Sequence, residues 1–205
     1  MMTWDNVSIE QFAELQKTFK DKPTNPVDKL NQKILQVSII TGKDLEEVEK
    51  MTLKELEEIE KLLVTPLPTK IHKRFELNGV IYEFITNAKE LAGGNYMSIM
   101  ESIKEDPFSN LHMVMFNIAR PIKFGWKGFK PYEFEAHEIP DRIEDFKKMP
   151  ISVANPIAVF FCRLSESLTA ASQDSLLKET QKMTEKVKKM TEEIQAELDS
   201  IDGDG

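Results

Sequence analysis

The pattern of apolar and polar positions changes character along this chain. From residue 8 to 64, apolar residues recur at the three-to-four spacing of a helix face. Ser8 with Gln11 is a capping-box pair, in which each side chain satisfies a free backbone N–H. Ile9, Phe12 and Phe19 follow as a rough apolar face. Lys20 to Asn25 is polar and holds Pro23, so it reads as a loop. Asn25-Pro26 opens the next helix as N-cap and first-turn proline. Val27, Leu30, Ile34, Val37, Ile40 and Thr41 carry that helix to Gly42, a glycine stop. Asp44 with Glu47, and Thr52 with Glu55, open two more. The second turns Leu56, Ile59 and Leu63 inward and Lys54, Glu57, Glu58 and Lys61 outward. About four helices are predicted before Pro66 and Pro68.

Beyond them the chain turns β-rich. Phe75 to Tyr82 sets Asn78-Gly79 between two strand-like runs, the strongest short signal for a hairpin, here near 73–85. Gly93-Gly94 reads as a loop, with helices over 95–104 and 108–119. Residues 120–136, rich in aromatics and glycine, read as a loop or irregular hairpin. Pro140-Asp141 starts a short helix with Ile143 and Phe146, closed by Pro150. The most apolar helix follows, through Ile157, Phe160, Phe161, Leu164 and Leu168, with Pro156 in its first turns or kinking it. From Asp174 the chain is Lys/Glu-rich. Thr180, Val187, Ile194 and Ile201 share one heptad position, and Leu176, Met183 and Met190 another.

These elements predict an α+β, mainly helical fold: N-terminal helices, one β-hairpin and a long C-terminal helix. A single mainly helical domain is expected over 1–172, with a helical section at 8–64 and a hairpin-plus-helices section at 70–172. A C-terminal helical extension, read as a coiled coil, spans 173–205.

Composition narrows the function classes. The net charge of -8 disfavours nucleic acid and anionic lipid as partners and suits basic patches on other proteins. Cys162 is the single cysteine, so no intramolecular disulfide forms, which fits a reducing compartment. The longest apolar run, Ile157 to Cys162, is far short of the ~18–20 residues of a membrane span. The N-terminus carries no signal-peptide pattern, so the expected location is the cytoplasm.

Catalytic and metal chemistry find little support. His72, His112 and His137 are far apart, and no Cys-x-x-Cys or His-x-x-x-His spacing occurs. His137 with Glu133, Glu135 and Glu138 reads as a solvated acidic loop rather than a cation site. Cys162, inside the most apolar helix, reads as a buried structural thiol. Ala92-Gly93-Gly94-Asn95 lacks the Gly-Lys-Ser/Thr of a P-loop. No catalytic residue, metal or cofactor is expected.

Two segments stand out as binding candidates. In the first, Lys123, Lys127 and Lys130 interleave with Phe124, Trp126, Phe129 and Tyr132. The leading reading is a turn whose aromatics fold back on the core. A protein-contact loop comes second, because aromatics anchor interfaces, and a base-stacking surface third. The second candidate is the C-terminal seam of Met183, Val187, Met190 and Ile194, which suits self-association or partner capture as well as packing on its own domain. Its methionines adapt in shape.

The order of features resembles a group of small bacteriophage morphogenesis proteins, over roughly residues 3–168. Thr3 to Phe12 looks like their opening, as do Ile34 to Lys43 and Leu45-Glu46-Glu47-Val48. Phe75 to Phe84 resembles their hairpin, and Asn95-Tyr96-Met97, Asn110-Leu111-His112 and Met149-Pro150-Ile151 their later landmarks. The resemblance implies a non-catalytic virion-assembly factor, a tail assembly chaperone or adaptor that binds a phage structural protein in the host cytoplasm. The alternative it implies is a structural protein retained in the virion. No site residues come with it.

Overall fold

Helices form where caps and apolar stripes coincide. The computed structural model describes residues 2–20, 23–87, 90–105, 108–126 and 128–163. Helix α1 (Ile9–Thr18) starts at Ser8 with a complete capping box: the Gln11 N–H donates to Ser8 Oγ, and the Ser8 N–H to Gln11 Oε1. Asn25 caps α2 (Pro26–Thr41) by accepting from the Asp28 N–H at 2.8 Å. Gly42, at φ 67°, ends it in the left-handed region a glycine enters at little cost. Gln11 Nε2 also donates to Ile39 O at 2.8 Å, satisfying a carbonyl that the end of α2 leaves open.

Helices α3 (Leu45–Glu49) and α4 (Leu53–Glu60) complete the first section. Thr52 and Glu55 form the expected box, but Asp44 makes no side-chain capping bond. Beyond α4 the chain tightens into a 3-10 turn, Lys61–Val64. Each residue of a 3-10 turn advances further round the axis than in an α-helix. The buried residue is consequently Leu62, and the expected Leu63 is only half-buried. Val37, Val48 and Leu56 form a buried cluster here, with Ile34, Met51 and Ile59 packed against it.

The expected hairpin is present as β1 (Arg74–Leu77) and β2 (Val80–Phe84). Asn78 and Gly79 have φ 47° and 75°, as the tight turn requires. The sheet continues past it. Strands β3 (Ala119–Gly125) and β4 (Gly128–Pro131) turn the 120–136 segment into a regular second hairpin. All four strands are antiparallel, in the order β1-β2-β3-β4. Helix α5 (Gly93–Glu105) takes in both glycines expected in a loop. Helix α6 (Leu111–Ile118) passes straight into β3, and α7 (Ile139–Lys147) starts at its proline as expected. Helix α8 covers residues 151–163.

Aromatic packing holds the inner face of the sheet. Phe75 stacks on Phe84 at 4.6 Å and on Tyr82 at 5.2 Å, and Phe146 of α7 meets Tyr82 edge-on at 5.0 Å. Tyr82, Phe84 and Phe146 are fully buried, each contributing about 2–3 kcal/mol of hydrophobic stabilisation. A short bridge closes this part of the chain on itself. The Ile9 N–H donates to Met149 O at 2.9 Å, and the Ile151 N–H to Val7 O at 2.8 Å. Beside them, Ser152 Oγ donates to Asp5 Oδ1 at 2.6 Å.

The chain divides into two units, Met1–Val159 and Phe160–Gly205. The expected boundary at 172–173 and the long C-terminal helix lie outside the described residues, as do Met183, Val187, Met190 and Ile194. Cys162 corrects an expectation: it is exposed. It follows Phe161 by one residue, which turns it about 100° round the helix from that buried ring. Among the described residues no helix is long and apolar enough to cross a membrane.

Candidate partner-binding hairpin

The β3–β4 hairpin gathers the first candidate segment. Cross-strand partners share a face of the sheet, and successive residues alternate faces. Phe124 pairs with Phe129 on the outer face, and Lys123 pairs with Lys130 on the other. Gly125 pairs with Gly128, so Trp126 stands at the tip. Gly128 has φ 95°, a conformation side chains resist and glycine accepts. Proline sets the length of β4. The Tyr132 N–H donates to Pro121 O at 3.1 Å, but Pro121 has no N–H to return, and the ladder stops.

The leading expectation for these aromatics does not hold. Trp126 is 102% exposed, Phe124 76% and Phe129 40%; only Tyr132, half-buried, turns towards the body of the domain. The reason is register. The Phe124–Phe129 pair lies beyond the last residue that β2 pairs with on β3, which is Ile122, so no neighbouring strand flanks it. The two rings meet edge-on, at 5.4 Å and 74°.

The outer face carries a charge cluster that the sequence pattern did not flag. Glu83, only 7% exposed, lies between Arg74 and Arg120, its partners on the two flanking strands. Arg120 Nη2 donates to its Oε2 at 2.8 Å, and Arg74 Nη2 to its Oε1 at 3.2 Å, with Lys73 Nζ at 3.6 Å. The Arg120 hydrogen bonds hold the Glu83 carboxyl below the usual carboxylate range, against the opposing effect of burial, with Arg74 and Lys73 adding to the lowering. The guanidinium of Arg74 also lies over the Phe129 ring at 4.4 Å. Arg74 on β1 and Phe129 on β4 have two strands between them in the sheet order, and Ile122 on the same face is buried. The only sign of this cluster in the sequence is the placing of Arg74, Glu83 and Arg120 in β-like runs; the β2–β3 register is needed to bring them together.

On the opposite face Lys123 and Lys130 are exposed, and Lys123 Nζ lies 5.5 Å from the Tyr132 ring. Tyr132 meets Phe134 edge-on at 5.5 Å, and Arg142 of α7 stacks on Phe134 at 5.2 Å. This chain of contacts anchors the hairpin's base to the domain. Of the predicted site residues, the structure brings Phe124 and Phe129 into contact, sets Trp126 at the tip beyond them, and places Tyr132 on the opposite face against Phe134.

Among the described residues no group of three or more His, Cys, Asp or Glu side chains is placed to hold a metal ion. His137 Nδ1 lies 3.4 Å from Glu135, both exposed. No family model, curated protein or solved structure matches the chain.

Proposed function

We propose that this chain is a non-catalytic binding protein that holds a partner protein through the β3–β4 hairpin. Its setting is the assembly of a phage particle, in the manner of the tail assembly chaperones its sequence resembles. The observation that carries this reading is the exposure of Trp126 and Phe124 at the end of the β3–β4 hairpin. Large rings left in water forgo about 2 kcal/mol each of burial. Buried instead against a partner, such rings are the commonest anchors of protein interfaces.

Two measurements test it together. Mass spectrometry of purified particles beside the infected-cell lysate separates a transient factor from a retained component. Abundance in lysate with absence from particles supports the assembly factor. Stoichiometric copies in particles make it a structural protein of the virion instead. In a phage carrying Phe124→Ala with Trp126→Ala, particle yield falls while the purified variant melts as the wild type does. An unchanged yield removes the hairpin from the function.

A further inference from the structure

We propose, resting on the reading above, that the hairpin's partner is an acidic segment bearing an apolar anchor. Charge points to it first. Residues 119–132 contain Arg120, Lys123, Lys127 and Lys130 and no Asp or Glu, within a chain of net charge -8. Arg120 is paired with Glu83 of β2, so the lysines carry the hairpin's remaining positive charge; they form a basic island on an acidic protein, where Coulomb attraction favours an anion.

The register sharpens this. Lys123 and Lys130 face each other directly across β3 and β4. Like charges in directly opposed positions destabilise a strand pair. The Tyr132 ring lies 5.5 Å from Lys123 Nζ, and neither lysine is in an ion pair with a described carboxylate. A carboxylate held between the two ammonium groups would turn the repulsion into attraction. The cations of the outer face are placed differently, because Arg74 and Arg120 are already held by Glu83.

The rings separate a peptide from a nucleic acid strand. Bases need open, flat ring faces on which to stack. Phe129 has the Arg74 guanidinium over its ring, Tyr132 has Lys123, and Phe124 meets Phe129 edge-on. That leaves Trp126 as the one fully exposed ring of the four, enough to anchor one apolar side chain and too little for a run of bases. A short acidic segment keeps its charge within the island.

Trp126 is the reporter for the test. The other tryptophan, Trp4, is 6% exposed, so acrylamide quenching of the wild-type protein reads Trp126. Three probes are titrated: a short Asp/Glu peptide with a central leucine pair, its counterpart with lysine for each acid, and oligothymidylate. The acidic peptide shields Trp126 from acrylamide, more weakly as salt rises, and the lysine peptide leaves it open. Lys123→Ala with Lys130→Ala weakens the acidic peptide about tenfold. Shielding by oligothymidylate but not by the acidic peptide overturns the proposal and makes the hairpin a nucleic acid surface. Shielding by neither, or equal affinity in the double-lysine variant, overturns the acidic chemistry. The partner reading itself then stands or falls on the particle yield of the Phe124→Ala, Trp126→Ala phage.

Discussion

At the residue scale, side chains of similar type serve opposite ends. Tyr82 is only 1% exposed, and its hydroxyl has no hydrogen-bond partner among the described residues. Burial pushes its pKa up to about 12, with the Arg142 charge opposing. Because the folded state holds this proton more tightly, the stability is full below the ordinary tyrosine value and lost as pH rises towards 12. Tyr82→Phe removes both the unpaired hydroxyl and this alkaline loss. At neutral pH it leaves stability unchanged or raised by up to ~1 kcal/mol in urea unfolding; a marked fall would mean the hydroxyl has a partner in solution. Glu83 runs the other way. Its depressed value means its contribution is complete above the usual carboxylate range and lost as pH falls through that value. Glu83→Gln should cost about 2 kcal/mol at neutral pH, and the variant and wild type should converge in acid. A constant difference across that range would show that the loss is one of packing rather than charge.

At the element scale, local rules and long-range pairing divide the work. Ser8, Asn25, Thr52 and Gly42 act within a few residues of themselves, so their helices were legible from the sequence. The Asn78-Gly79 turn was equally local. The second hairpin was legible only as a loop or irregular hairpin because Pro121, Pro131 and two glycines mask a strand pattern, and its place in the sheet was not, because its partner β2 lies 35 or more residues earlier. The candidate aromatics were visible as a cluster, but their exposure depends on how far β3 outruns β2, which no local pattern encodes. For the same reason the Arg74–Glu83–Arg120 row appeared only once the register was known. The turn itself offers a check. A Cβ at Gly79 meets nothing within 4 Å, so Gly79→Ala is opposed by its φ of 75° alone. The expected cost is about 1 kcal/mol in thermal or urea unfolding. A neutral effect would mean the turn relaxes to another type without loss.

At the scale of the whole molecule, the residues that close the first unit come from its two ends. Val7 and Ile9 pair with Ile151 and Met149, and Asp5 holds Ser152, so the start of the chain is tied to the first turns of α8. The aromatic core of Phe75, Tyr82, Phe84, Phe116 and Phe146 lies within the same span, as does the Val37–Val48–Leu56 cluster. Hydrophobic burial and these long-range hydrogen bonds are the terms that make unfolding cooperative, and among the described residues all of those just named lie before residue 160. A chain ending at Gln173 should therefore unfold in one cooperative transition, with a melting temperature close to that of the full chain in calorimetry. It should also keep the exposed Trp126 and its quenching. A broad, non-cooperative transition would show that residues 174–205 supply part of the folding energy, and the extension would then belong to the domain rather than to its interactions.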